Sequence, residues 1–291
     1  MSGQASQNAK TSIHKDKFRQ LSLRYDSQHR VVWCYMHAAP RSCFTPQLLS
    51  ELERMCDLLA AELDHPKRQM VDYVVMASAV PGVFNLGGDL ALFRELVINR
   101  NRSGLRQYAH ACIELQWNNL SHLDNRDVTT VALVQGEALG GGFEAAMFAN
   151  VMVAERGARM GLPEILFNLF PGMGAFSILS RKLDPARAER MILSGKIFTA
   201  EELHELGVVD VLAEDGKGEE AVYEYIAREN RSRNGIRALR AAKAIANPIT
   251  REELRSVADV WVDAALRLKS RDLRLMERLV ARQSAMQRRA A

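Results

Sequence analysis

The sequence predicts a mixed α/β core followed by a helical C-terminal region. Short apolar runs of strand character, Tyr73–Ala79, Val128–Gly136 and Val151–Glu155, alternate with amphipathic helical stretches up to about residue 190. Beyond Pro171 almost all of the apolar patterning has helical spacing. The 291 residues, 47% hydrophobic and 25% charged, have ordinary globular composition and suffice for one large domain with an appendage. The chain divides into a loose polar segment (1–17), a core (18–195) and a mainly helical C-terminal region (196–291).

Each element has its own signal. Leu21, Leu23 and Tyr25 alternate with polar residues, and Val31–Ala38 follows a polar turn, which reads as a hairpin. Thr45 can cap a helix that has Pro46 in its first position, with an apolar stripe from Leu48 through Leu52, Met55 and Leu59 to Leu63. The buried strand Tyr73–Ala79 leads into the glycine-bearing loop "PGVFNLGGDL" and then one long helical region over roughly 90–121. "VTTVALVQG" is another buried strand, followed by a short helix over about 142–149 and the short strand "VMVAE". "DPARAERMILSG" is a capped amphipathic helix stopped by Gly195, and "TAEELHELGVVDVLAE" reads helix, stop at Gly207, strand. Two helices close the chain, one presenting Leu254, Ala258, Trp261 and Ala265, the other Leu275, Met276, Leu279 and Val280.

Composition excludes several functions. A net charge of +4, with basic residues scattered in small clusters, gives no electrostatic footprint for nucleic acid. Cys34, Cys43, Cys56 and Cys112 show no CxxC spacing and the seven histidines no ligand pairing, so no metal site is expected. The polar N-terminus lacks an apolar signal segment and no run of about 18 apolar residues occurs, so a soluble, cytoplasmic protein without a membrane span is expected.

The chemistry sits in two stretches. "GEALGGGFEAAM" places Glu144 just after three glycines, and "MGLPEILFNLF" places Glu164 among apolar residues. A buried ionised carboxylate costs several kcal/mol unless it is paired or keeps its proton. "GGGFEA" fits the dinucleotide fingerprint G-x-G-x-x-A, but Glu137–Leu139 separate it from the strand, and the helix is shorter than a parallel crossover needs. The other use of such glycines is to bare backbone amides. Gly140–Gly142 at a helix start and Leu86–Gly88 in "FNLGGD" offer two sets, which serve either as tight turns or as an oxyanion hole.

"VFNLGGDL", "VQGEALGGGFEAAM", "ARMGLPEILFNLFPGMGA" and "FTAEELHELGVVDVL", in that order over roughly residues 20–285, resemble the successive motifs of the crotonase (enoyl-CoA hydratase/isomerase) superfamily. The resemblance implies a spiral of ββα turns with a helical C-terminal subdomain that covers the acyl site and carries trimer contacts, assembled as trimers or paired trimers. It puts the oxyanion-hole amides at Leu86 and Gly141, supported by Gly87, Gly88, Gly140 and Gly142, and the acid/base pair at Glu144 and Glu164. "VWVDAALRLKSRDLRLMERLVARQS" extends the likeness to the Rpf-type diffusible signal factor synthases, which make cis-2-unsaturated fatty acids. That implies 3-hydroxyacyl substrates on the phosphopantetheine of acyl carrier protein, dehydratase and thioesterase activities and no further cofactor. A sensor-kinase receiver domain is a partner of some members. The alternatives are an enoyl-CoA hydratase of fatty-acid breakdown and a non-catalytic partner of a signalling protein.

On this reading Glu164 serves the alpha carbon and Glu144 the water or hydroxyl, one pKa raised and the other low. Deleting either glutamate is expected to leave stability unchanged or higher. Met173, Trp261, Met276 and Leu279 are the expected acyl pocket.

Overall fold

The computed structural model describes residues 17–63, 70–121, 127–278 and 281. The expected loose segment up to residue 16, Leu279 and Val280 lie outside the described residues.

Six strands form the larger sheet in the order β1-β2-β3-β5-β7-β10: Leu21–Asp26, Val31–Met36, Tyr73–Ser78, Thr129–Val134, Val151–Glu155 and Val211–Ala213. β1 and β2 are the expected hairpin, with Leu21 opposite Met36, and every other pairing in this sheet is parallel. Alternate residues face opposite sides, as a pleat requires. Val32, Cys34, Val74, Met76, Ala132 and Met152 join the main core, whereas Val31, Trp33, Val75, Val131 and Val153 join a second one. Helix α8 (Gly218–Arg231) covers that second core with Val222 and Ile226. Burial on both faces is why these strands read as continuous apolar runs.

A second sheet of four three-residue strands has the order β4-β6-β8-β9: Val83–Asn85, Glu137–Leu139, Arg159–Gly161 and Ile197–Thr199. Each long strand β3, β5 and β7 passes into the short strand β4, β6 or β8 and then into helix, so the ββα turn repeats along the chain. β5 and β7 are parallel neighbours. The sequence argument against a parallel crossover there is thus corrected: β6 lengthens the connection beyond the helix alone. The glycine run follows β6, in the other sheet, so it does not end the strand a dinucleotide fingerprint requires.

Helix α1 (Pro46–Leu63) starts as expected, with Thr45 Oγ1 accepting from Leu48 N–H at 3.0 Å. The long helix expected over 90–121 is two helices, α2 (Leu90–Ile98) and α3 (Arg102–Leu120). Arg100 takes a left-handed φ of 48°, and Asn101 caps α3 by accepting from Gly104 N–H at 2.9 Å. α4 (Gly141–Met147) begins in the glycine run, and a 3-10 turn spans Pro163–Phe167. Then come α5 (Ala175–Lys182), α6 (Pro185–Ser194), α7 (Ala200–Glu205), α9 (Arg233–Ala246) and α10 (Arg251–Ala265), with a last helix from residue 270. Among the described residues no helix is long and apolar enough to cross a membrane.

Candidate active site

The loop between β4 and α2 lies against the start of α4 with almost no side chain between them. A Cβ on Gly142 would collide with the Asn85 carbonyl, and one on Gly87 would come within 2.7 Å of Leu139 O and 2.9 Å of Gly141 N. Only glycines allow this approach, and Gly87 and Gly140 also need positive φ, 87° and 51°. The side chain of Tyr108, on α3, fixes the loop: its hydroxyl accepts from Asp89 N–H at 2.8 Å and donates to Phe44 O at 2.6 Å.

This packing changes one expected assignment. The Leu86 N–H donates to Ser42 O at 2.7 Å and its side chain is buried with Val83 and Leu139, so its amide is committed elsewhere. Gly88 stands beside Gly141 instead: a Cβ on Gly141 would be 3.6 Å from Gly88 N. Both glycines line one cavity, and the Gly141 N–H, at the first position of α4, has no intrahelical acceptor. Gly87 donates to Asn85 Oδ1 at 2.8 Å and Gly140 to Gly161 O at 2.9 Å, so these two shape the loops without offering donors.

The cavity is about 70 Å³, and Glu144 and Glu164 both line it. Glu144 is in the first turn of α4, 1% exposed, and its Oε1 accepts from Met173 N–H at 2.9 Å and Ala175 N–H at 3.0 Å. Glu164 comes from the 3-10 turn; its Oε1 fills the space a Cβ on Gly140 would need, and its Oε2 is buried without a partner. Burial raises both pKa values, to about 8 for Glu144 and about 7 for Glu164. The Glu164 charge pushes Glu144 up further, against the pull of its two amide donors. The expectation of one raised and one low carboxylate is therefore replaced by two raised ones, because both carboxyls are desolvated and neither has a cation partner among the described residues. They titrate as one pair that keeps a proton near neutrality.

The remaining wall is apolar, with Phe44, Phe93, Leu115, Phe167, Met173 and Trp261 among its residues. Met173 and Trp261 are where the sequence put them, Trp261 tilted against Phe93 at 5.2 Å between ring centroids. Met276 is not on the wall; it is 1% exposed in the main core. Leu279 lies outside the described residues. Tyr108, Cys112 and Gln116 were missed, although their four-residue spacing along α3 marks one helical face. Gln116 is the odd member, 2% exposed with its Oε1 unpartnered.

Two carboxyls sharing a proton, two backbone donors and dry apolar walls can hold an enolate oxygen while a proton leaves a neighbouring carbon. Consistent with that chemistry, residues 45–265 match the enoyl-CoA hydratase/isomerase family, and the chain belongs to it. It is a hydratase-type member of the crotonase superfamily. Among curated relatives, the mitochondrial methylglutaconyl-CoA hydratase of Rattus norvegicus is 27% identical over 239 residues, 80% of this chain and 70% of that protein. A probable enoyl-CoA hydratase of Bacillus subtilis (strain 168) is 27% identical over 180 residues, 62% of this chain and 64% of that one. Among solved structures, enoyl-CoA hydratase from Bacillus halodurans superposes with a TM-score of 0.74 at 18% identity, covering 89% of this chain and 99% of that chain. Pseudomonas aeruginosa DspI superposes with a TM-score of 0.60 at 23% identity, covering 80% and 91%.

Proposed function

We propose that the protein is a diffusible signal factor synthase: it dehydrates 3-hydroxyacyl thioesters borne by acyl carrier protein and hydrolyses the acyl thioester, releasing a cis-2-unsaturated fatty acid. The observation that carries this reading is the pairing of Glu164, with a buried unpartnered Oε2, and Glu144 in one apolar cavity beside the amides of Gly88 and Gly141. With the thioester oxygen on those amides, the alpha proton becomes acidic. Glu164, free of hydrogen bonds at Oε2, takes that proton; Glu144 delivers its own to the departing hydroxyl, which leaves as water. For hydrolysis, Glu144 deprotonates a water that attacks the carbonyl carbon. The same amides hold the tetrahedral oxyanion, and the thiol departs with the proton. The outward face of α9, where Leu239 is 71% and Ile245 77% exposed, supports self-association into the trimers that the resemblance implies.

The small cavity supports a second reading, a hydratase of short enoyl-CoA thioesters, since about 70 Å³ holds only part of a long chain. Matched 3-hydroxydodecanoyl thioesters of carrier protein and of CoA separate the two. Dehydration and free-acid release from the carrier-protein form, read by mass spectrometry, are expected. Turnover confined to short CoA thioesters, with no free acid, overturns the synthase reading.

A further inference from the structure

A second cavity, about 490 Å³, lies between α9 and the core. It exists because the face that α9 turns inward carries Ala241 and Ala244 where a packed helix would carry leucines; no residue of α9 is buried. The space is a cleft open to solvent along α9. Its floor is apolar, with Trp117, Leu120, Met147 and Ile178. Among the described residues its charged lining is cationic: Arg181, Lys182, Arg237, Arg240 and Lys243.

Three of these cations are already matched. Arg181 pairs with Glu253, Arg237 with Asp127 and Arg240 with Glu229. Lys182 is matched only loosely: its side chain is 10% exposed, its Nζ donates to Val208 O at 3.4 Å and stands 3.8 Å from Asp210, and Lys243 repels it. Two ammonium groups facing each other over an apolar floor call for an anion that also has an apolar body.

We propose that this cavity is a second binding site, for a fatty-acid anion, with its carboxylate between Lys182 and Lys243 and its alkyl chain along Trp117, Leu120 and Met147. The two cavities share structural elements. α3 presents Cys112 and Gln116 to the active-site cavity and Trp117 and Leu120 to this one, and α4 runs from Gly141 at the first to Met147 at the second.

The test uses binding and no turnover, so it stands apart from the proposed activities. Dodecanoate brominated near its tail is titrated into the full-length protein while tryptophan fluorescence is followed. Saturable quenching is expected, with one component lost in Trp117→Phe, weakened at least tenfold in Lys243→Glu, and absent with brominated dodecanol. Ala241→Leu, which narrows the cavity, is expected to weaken the same component; the exposed Lys243 decides the matter if that variant does not fold. A Trp117 component that survives Lys243→Glu unchanged, equal quenching by the alcohol, or no Trp117 component at all overturns the proposal.

Discussion

The indole of Trp261 occupies the space into which a side chain on Gly172 would project, with Cβ, Cγ and Cδ1 all in the way. α10 therefore seats its tryptophan directly on the backbone that follows Glu164. Gly172→Ala must displace the ring, at about 1–3 kcal/mol of overpacking. The expected result is a lower Tm together with an altered acyl-length preference, measured as kcat/KM across a thioester series. Trp261→Ala should open the cavity toward longer or branched chains at about 3–5 kcal/mol of stability. An unchanged length profile in both variants would return Trp261 to a packing role.

The two glutamates should respond differently to truncation. Glu144→Ala strands the N–H groups of Met173 and Ala175, each costing about 1–3 kcal/mol when left unpaired in a buried site. The expectation of a stability-neutral deletion thus applies to Glu164, whose Oε2 has no partner to lose, and not to Glu144. Glu144→Gln keeps an acceptor at Oε1 and should fold normally while losing at least ~100-fold in turnover. Comparable activity in Glu144→Gln and wild type would sink the acid/base assignment.

Stability should fall as pH rises from about 4.5 toward 8. Over that window the unfolded chain has released carboxyl protons that the folded pair gives up only near pH 7 and 8, because both folded pKa values are raised. Thermal melts at stepped pH are expected to show Glu164→Gln gaining on wild type between about pH 4.5 and 7, holding that gap above pH 7 and converging below pH 4.5. A constant gap between about pH 4.5 and 7 would show that Glu164 is not titrating as described.

Tyr108→Phe removes the hydroxyl that joins Asp89 N–H to Phe44 O and so frees the loop carrying Gly88. The loss should appear in kcat more than in KM, since a misplaced oxyanion donor acts on the transition state. Dehydration and hydrolysis should decline by the same factor if one pair of amides serves both. Hydrolysis that outlasts dehydration would indicate separate sites.

The carboxylates and the glycine loops were legible because a charge inside an apolar run is costly and therefore conspicuous. Which amide of "NLGGD" is available was not. Leu86 and Gly88 are two residues apart, and only the bond from Leu86 to Ser42 O, a contact distant in sequence, assigns the free one. The second sheet escaped notice because three-residue strands are too short to show a period. The break at Asn99–Asn101 did leave a trace, two asparagines flanking a left-handed Arg100, but the apolar spacing on both sides masked it. Met276 and Trp261 share helical spacing with their neighbours, and periodicity reports burial without saying whether a cavity lies beyond it.

The donors at Gly88 and Gly141 belong to the main chain, and this has a practical corollary for anyone surveying the protein by mutation. Alanine scanning infers importance from what disappears when a side chain is cut back, and at these two positions there is nothing to cut. Alanine there adds a methyl group, so the scan records a steric intrusion and remains silent on the hydrogen bond itself. A residue-by-residue survey will rank the glutamates and overlook the group that stabilises the oxyanion. That half of the chemistry becomes visible only when the peptide N–H of Gly141 is itself exchanged, for instance for an ester oxygen.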